Sequence, residues 1–130
     1  MAKTIMIVDD EPDIRDTVRA VLEKNGFRTI AAASGDDCLA KLKKSKPDLI
    51  LMDIMMPGID GISLMHDIHS MDATAHVPII AVSGLNDAAT LNDALLFGAM
   101  DYMVKPFDLD TLIAKINQAA EISRKRAPKT

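Results

Sequence analysis

Residues 4 to 12 read Thr4-Ile5-Met6-Ile7-Val8-Asp9-Asp10-Glu11-Pro12, an apolar run that ends abruptly in three acidic side chains. Four consecutive apolar residues are typical of a strand that is buried on both faces of a parallel sheet. Pro12 suits the first turn of a helix, and apolar residues then recur at helical spacing until residue 25. The stretch therefore predicts a strand, an acidic loop and a helix in succession.

The same alternation continues along the rest of the chain. Further apolar runs at residues 28–32, 49–52, 77–82 and 102–104 predict four more strands. Helical patterns cover residues 11–25, 35–44, 61–70, 87–97 and 108 to about 124. Strands that alternate with helices favour an α/β fold, in which a parallel sheet carries helices on both faces.

Composition limits the class of protein. The 130 residues fit one domain, and 48% hydrophobic with 26% charged residues is ordinary for a globular chain. No stretch approaches the roughly 20 apolar residues that span a membrane. The first apolar run is too short for a signal peptide, and a single cysteine, Cys38, cannot form an internal disulfide. A cytoplasmic location is therefore expected, and the net charge of −4 argues against a broad nucleic-acid-binding surface.

Polar side chains stand where the predicted strands end. Asp9 and Asp10 follow the first strand, Asp53 follows the third, Ser83 ends the fourth and Lys105 follows the fifth. Ligands of open parallel sheets bind outside the carboxyl ends of the strands. We therefore expect these five side chains to surround one point.

The charges of these residues indicate what this point binds. Three carboxylates and one ammonium leave two negative charges, which suit a divalent cation, and ligands that are all oxygen suit Mg²⁺. With the metal bound, one carboxylate could act as a nucleophile toward phosphorus. Lys105 and the metal would offset charge on the phosphoryl oxygens, and Ser83 could donate a hydrogen bond to one of them.

Four motifs in this order resemble the receiver domain of two-component response regulators. They are Ile7-Val8-Asp9-Asp10-Glu11-Pro12, residues 51–61 (LMDIMMPGIDG), Val82-Ser83-Gly84 and Tyr102-Met103-Val104-Lys105-Pro106-Phe107. The resemblance covers residues 3 to 122. It implies a flavodoxin-like (βα)5 three-layer sandwich with a parallel five-stranded sheet of order 2-1-3-4-5, an order already described for flavodoxin and the chemotaxis regulator.

The resemblance also implies a phosphoacceptor and a metal site. Asp53 would accept the phosphoryl group. Asp10 would bind Mg²⁺ directly, Asp9 directly or through water, and Asp53 and the backbone carbonyl of Met55 would complete the protein ligands. Met55 and Leu85 would border the path of the hydrolytic water, and because both are apolar we expect a long-lived phospho-aspartate.

Three further residues carry roles in the family. Lys105 would pair with Asp53 and then with the phosphoryl group, and Pro106 would follow a cis peptide bond. Ser83 and Tyr102 would form the switch. Gly84 departs from the alanine that is more usual after the Ser/Thr position.

Simpler interpretations of some residues stay open at this point. Asp10 could merely cap the helix that begins near Pro12, and Tyr102 could be an ordinary half-buried tyrosine. Asp60 and Gly61 are expected to form a turn and a helix start.

The predicted function is a phospho-accepting receiver that takes its phosphoryl group from a sensor histidine kinase or a histidine phosphotransfer protein and then changes partner binding. The alternative is a receiver-like interaction module that works without phosphorylation. A flavin or nucleotide binder is disfavoured because the acidic loop at residues 9–11 repels anions. A phosphatase with an aspartate nucleophile is disfavoured because Met55 stands where a second acid would be needed.

Residues 1–122 are predicted to form the receiver and residues 123–130 a basic tail or the start of a linker. No output segment follows residue 122, so we expect either a stand-alone receiver or a part of a longer regulator or hybrid kinase. The partner would then be a downstream protein or a missing output domain, with a phosphorylation-dependent dimer as a further alternative. No membrane partner is expected.

Overall fold

The computed structural model describes residues 3–56, 60–84 and 88–126, with the backbone alone at residues 88, 91 and 122–126. The strands are β1 (Thr4–Val8), β2 (Arg28–Ala32), β3 (Leu49–Asp53), β4 (Ile79–Ser83) and β5 (Asp101–Val104). The helices are α1 (Pro12–Lys24), α2 (Gly35–Leu42), α3 (Gly61–Ser70), α4 (Ala88–Leu96) and α5 (Leu109–Arg126), with a short 3₁₀ helix at Asp72–Thr74. None of these helices is long and apolar enough to cross a membrane.

The sheet has the predicted topology. Its order is β2-β1-β3-β4-β5, and every neighbouring pair of strands is parallel. β1 and β3 lie side by side in the middle, with Val8 opposite Met52. The strand order reverses between them, and such a switch point is where open α/β sheets bind ligands.

Two separate hydrophobic clusters cover the two faces of the sheet. Successive side chains of a strand point to opposite faces, so Ile5 and Ile7 of β1 join one cluster while Met6 and Val8 join the other. α1 and α5 close the first face with Val18, Leu22, Leu112 and Ile116. α2, α3 and α4 close the second with Cys38, Leu42, Leu64, Met65, Ile68 and Ala94. The three-layer α/β sandwich is therefore confirmed.

Several predicted boundaries differ from the structure. β4 begins at Ile79 because Pro78 has no N–H with which to join the ladder. The 3₁₀ helix at Asp72–Thr74 was not predicted; its Thr74 hydroxyl donates to the carbonyl of Ile68. α5 extends to Arg126, so the backbone of residues 123–126 is helical. The predicted helix start at Asp87 and residues 127–130 of the tail lie outside the described residues.

The capping role considered for Asp10 is wrong. The N-cap of α1 is Glu11, which has an extended backbone and makes no side-chain capping bond. Asp60, in contrast, caps α3 through bonds from the N–H groups of Ile62 and Ser63, which confirms the predicted helix start at this position.

Candidate functional site

The structure brings the predicted site residues together at the carboxyl edge of the sheet. Asp9 follows β1, Asp53 and Ser83 end β3 and β4, and Lys105 follows β5. Carboxylate oxygens of Asp9, Asp10, Glu11 and Asp53 all lie within 4.8 Å of one another. The carboxyl ends of β1 and β3 thus place four acidic groups close together.

The two buried carboxylates are oriented by their own loops. Asp9 is 4% exposed and Asp53 is 5% exposed. In each, Oδ1 accepts a hydrogen bond from the backbone N–H two residues later, at 2.9 Å from Glu11 and 2.9 Å from Met55. The Oδ2 atoms of both residues are thereby turned toward a shared cation.

That cation is Lys105. Its Nζ lies 2.8 Å from Asp53 Oδ2, 3.0 Å from Asp9 Oδ2 and 3.2 Å from Glu11 Oε1. An ammonium has three N–H donors, so these three carboxylates can use them all. The backbone N–H of Lys105 donates to the carbonyl of Ser83 at 2.7 Å, which joins the ends of β4 and β5. The peptide bond between Lys105 and Pro106 is cis.

Burial and charge act in opposite directions on these groups. Burial raises the pKa of Asp9, and the N–H of Glu11 and the ammonium of Lys105 offset only part of that rise. Burial alone would lower the pKa of Lys105, but the hydrogen bonds and charges of Asp53 and Asp9 outweigh it and hold this pKa well above its usual value. Lys105 therefore stays a cation at neutral pH.

The donor set fits a hard cation. Four carboxylates face one ammonium, so the cluster keeps an excess of negative charge that Lys105 cannot cancel. Asp10 and Glu11 are exposed and form its open side, while Asp9 and Asp53 are buried. Oxygen ligands with an open side suit a small divalent cation that retains water.

Glu11 is the site residue that sequence reasoning missed. The sequence predicted no role in the site for Glu11, yet its carboxylate contacts Lys105, 94 positions along the chain. Its place directly after Asp9 and Asp10 was the available signal, because three consecutive acids after one strand enter the same edge of the sheet.

The two predicted switch residues lie on neighbouring strands. Ser83 is completely buried, whereas Tyr102 is 40% exposed. In the register Ser83 lies opposite Val104, and the small Ala81 lies opposite Tyr102. Nζ of Lys115 is 5.6 Å from the centre of the Tyr102 ring, so the ring is on the outer surface of β5.

Met55 and Gly84 are both exposed. The side chain of Met55 is 56% exposed, while its N–H is bound to Asp53. A Cβ on Gly84 would meet nothing within 4 Å, so an alanine would fit there. Leu85 lies outside the described residues.

The chain matches the family model of the response regulator receiver domain over residues 5–117. It is 40% identical over 119 residues to the chemotaxis protein CheY of Bacillus subtilis, covering 91% of this chain and 98% of that protein. It is 36% identical over 116 residues to the phosphate regulon transcriptional regulatory protein PhoB of Escherichia coli, covering 89% of this chain but 51% of PhoB. Thus the chain spans nearly all of one relative and about half of the other.

Solved structures agree with this assignment. A crystal structure of NtrX from Brucella abortus superposes with a TM-score of 0.91 at 35% identity, covering 97% of this chain and 28% of NtrX. A CheY-like receiver domain protein from Methanospirillum hungatei superposes with a TM-score of 0.89 at 29% identity, covering 98% of this chain and 100% of that protein. The chain belongs to the response regulator receiver domain family, the signalling class that its fold and acidic edge indicate.

Proposed function

We propose that Asp53 accepts a phosphoryl group from a sensor histidine kinase or a histidine phosphotransfer protein, and that this modification changes partner binding. The observation that carries the proposal is the buried carboxylate of Asp53 held 2.8 Å from the ammonium of Lys105. A buried, oriented carboxylate beside a permanent cation is suited to attack phosphorus, because the cation can offset the negative charge of the phosphoryl oxygens.

The groups around Asp53 have different roles in the phosphoryl transfer. The N–H of Met55 holds Oδ1 of Asp53, and Lys105 holds Oδ2, so the carboxylate needs no reorientation before it reacts. The new bond joins an oxygen of Asp53 to phosphorus, while the bond from phosphorus to the donor imidazole breaks. Lys105 then pairs with the phosphoryl oxygens as a compact point charge.

Mg²⁺ is the cofactor that we propose for this site. Asp9, Asp10, Asp53 and the backbone carbonyl of Met55 would hold it, and when bound it supplies positive charge near the phosphoryl oxygens. Asp10→Asn should weaken Mg²⁺ binding and slow phosphorylation, because it removes an exposed carboxylate from the cluster. Asp16→Asn, which removes an exposed charge from α1 outside the cluster, is the matched control. Equal Mg²⁺ titrations for native and Asp10→Asn chains would contradict the assignment.

We propose that Ser83 and Tyr102 convert phosphorylation into a change of surface. A movement of Ser83 toward the phosphoryl group would let its hydroxyl donate to a phosphoryl oxygen, and Tyr102 would then rotate inward over the small Ala81, which lies opposite it. A partner that prefers one arrangement shifts the population by its difference in affinity. This change would affect the surface near α4, β5 and α5.

Ser83→Ala tests this coupling. The variant should still be phosphorylated at Asp53, but the Tyr102 resonances should respond much less than in the native chain. Tyr102 is the sole tyrosine, so its NMR signals are unambiguous. Ser70→Ala is the control, because Ser70 is an exposed serine whose hydroxyl donates to the carbonyl of His66 in its own helix. A full Tyr102 response in phosphorylated Ser83→Ala would show that the coupling follows another route.

The alternative is an interaction module that works without phosphorylation. Incubation with Mg²⁺ and acetyl phosphate, followed by intact mass measurement, separates the two functions. We expect one added phosphoryl group on the native chain and none on Asp53→Asn. Equal masses before and after incubation of the native chain would favour the alternative.

We also propose domain boundaries, partners and a cellular location. We assign residues 1–122 to the receiver and 123–130 to a basic tail or the start of a linker. The modified receiver would act on a downstream protein or on an output domain, and it could do so as a dimer. Its relatives include a chemotaxis protein and a transcriptional regulatory protein, one of each kind of output. We likewise propose a cytoplasmic location.

A further inference from the structure

One arginine contacts the backbone of the acidic loop and has no part in the proposed transfer. Arg15 is half-buried in α1, and its Nη1 donates to the backbone carbonyl of Asp9 at 2.7 Å. The N–H of Asp9 donates to the carbonyl of Ala32 in β2 at 3.1 Å. Both backbone polar groups of Asp9 are therefore held by partners outside its own loop.

The charge of Arg15 also acts on Asp37 in the first turn of α2. Asp37 Oδ2 accepts bonds from the N–H of Ala33 at 3.0 Å and from Nζ of Lys41 at 3.2 Å. The N–H of Ala33 is the main cause of the lowered pKa of Asp37, with Lys41 and the charge of Arg15 contributing after it. Lys41 also donates to the carbonyl of Ala31. The positive charge of Arg15 therefore acts on a polar cluster at the end of β2, while its guanidinium bonds to the acidic loop.

We propose that Arg15 is a positioning residue for the metal and phosphoryl site, an inference that rests on the proposed function. By holding the carbonyl of Asp9, Arg15 fixes the peptide that leads into Asp10. The next peptide carries the N–H of Glu11, which holds the Asp9 carboxylate, so its orientation depends on the peptide that Arg15 holds. A charged donor makes a stronger bond to a carbonyl than a neutral one, which suits a loop of three mutually repelling acids.

A simple charge effect would have the opposite sign. A positive charge near the cluster repels Mg²⁺, so loss of Arg15 by charge alone would make Mg²⁺ bind more tightly. Loss of a group that orients metal ligands weakens metal binding, commonly about 10–100-fold. The direction of the change in Mg²⁺ affinity therefore distinguishes a positioning role of Arg15 from a simple charge effect.

The experiment measures Mg²⁺ affinity and the rate of phosphorylation by acetyl phosphate at saturating Mg²⁺. Arg15→Ala should bind Mg²⁺ about 10-fold more weakly and react about 10-fold more slowly, and Arg15→Lys should recover part of both losses. Arg19→Ala is the matched control, because Arg19 is also half-buried in α1 but bonds to the Thr29 hydroxyl, away from the site. It should behave as the native chain does.

NMR of the metal-free chains adds a readout that a general loss of stability would not move. The amide proton of Glu11 should shift in Arg15→Ala, because its bond to Asp9 changes. The amide proton of Met55, which makes the equivalent bond to Asp53, should not shift.

The two proposals fail in different ways. Tighter or unchanged Mg²⁺ binding in Arg15→Ala, with an unmoved Glu11 amide, overturns the positioning role while the native chain still reacts at Asp53. A native chain that binds Mg²⁺ but takes no phosphoryl group overturns the proposed function instead, and the Mg²⁺ titrations still test Arg15.

Discussion

Lys105→Met should destabilise the metal-free chain strongly, apart from any effect on phosphorylation. The substitution keeps an apolar side chain of similar length but removes the cation shared by Asp9, Glu11 and Asp53. The carboxylates of Asp9 and Asp53 are about 95% buried, so they cannot recover full hydration. An unpaired buried charge is among the costliest single changes in a protein.

The size of the expected loss of stability follows from the burial of these side chains. Removing one partner of a buried ion pair costs roughly 3–5 kcal/mol, and because the Lys105 side chain is 17% exposed we expect the low end, about 3 kcal/mol. At an unfolding entropy of roughly 2.1 cal/mol/K per residue, the melting temperature of a chain of 130 residues should fall by about 10 °C. Mg²⁺ should restore most of the loss, since a ligand at a hundredfold its Kd contributes about 2.7 kcal/mol.

Urea denaturation followed by circular dichroism measures the free energy of unfolding of Lys105→Met and of the native chain, first in chelator and then in Mg²⁺. Lys115→Met is the matched control, because Lys115 pairs with Asp101 at 3.1 Å but both side chains are partly exposed. Such a pair contributes about 0–1 kcal/mol. If Lys105→Met in chelator is as stable as the native chain, the two carboxylates do not depend on Lys105 and our electrostatic description of the site is wrong.

Three further predictions concern packing, lifetime and pH. Gly61→Ala should lower the free energy of unfolding by roughly 1–3 kcal/mol in urea titrations, because its Cβ would lie 2.5 Å from Cα of Ile54; Gly84→Ala, with open space, should change it by less than about 0.5 kcal/mol. Met55→Asn should shorten the lifetime of the phospho-aspartate in a decay assay, because an amide can orient water and a thioether barely can; a longer lifetime in the variant would contradict this. Burial raises the pKa of Asp9 in the folded state above its unfolded pKa of 3.8. The stability that this shift contributes is therefore fully present below pH 3.8 and is lost as the pH rises through the folded pKa. Relative to Asp9→Asn, the native chain should therefore lose stability as the pH rises above 3.8 in paired urea titrations, and parallel profiles would refute this.

Most of the fold could be predicted because the central strands are buried on both faces. The first four residues of β3 and of β4 are apolar and buried on both faces of the sheet, so each strand appears in the sequence as a continuous apolar run that ends in one polar residue. The site was predictable for a related reason, since the carboxyl ends of parallel strands share one edge of the sheet. Polar residues at those ends must meet there, however far apart they lie in the chain.

What could not be predicted depends on side-chain directions. The contact of Arg15 with the carbonyl of Asp9 is local in sequence, but periodicity shows only that Arg15 lies on a helix, not where its guanidinium reaches. The pairing of Glu11 with Lys105 needs both loops in place. The 3₁₀ helix at Asp72–Thr74 is a single short turn, too short to produce a periodic pattern.

Direct mapping of the modified residue tests the central proposal most sharply. The native chain is incubated with acetyl phosphate and Mg²⁺, reduced with borohydride, which converts an aspartyl phosphate to homoserine, and digested for peptide mass spectrometry. We predict homoserine at residue 53 alone, and none when Mg²⁺ is replaced by chelator. An unmodified Asp53, or modification at Asp9 or Asp10 instead, would contradict the proposal that the carboxylate held by Lys105 is the phosphoacceptor.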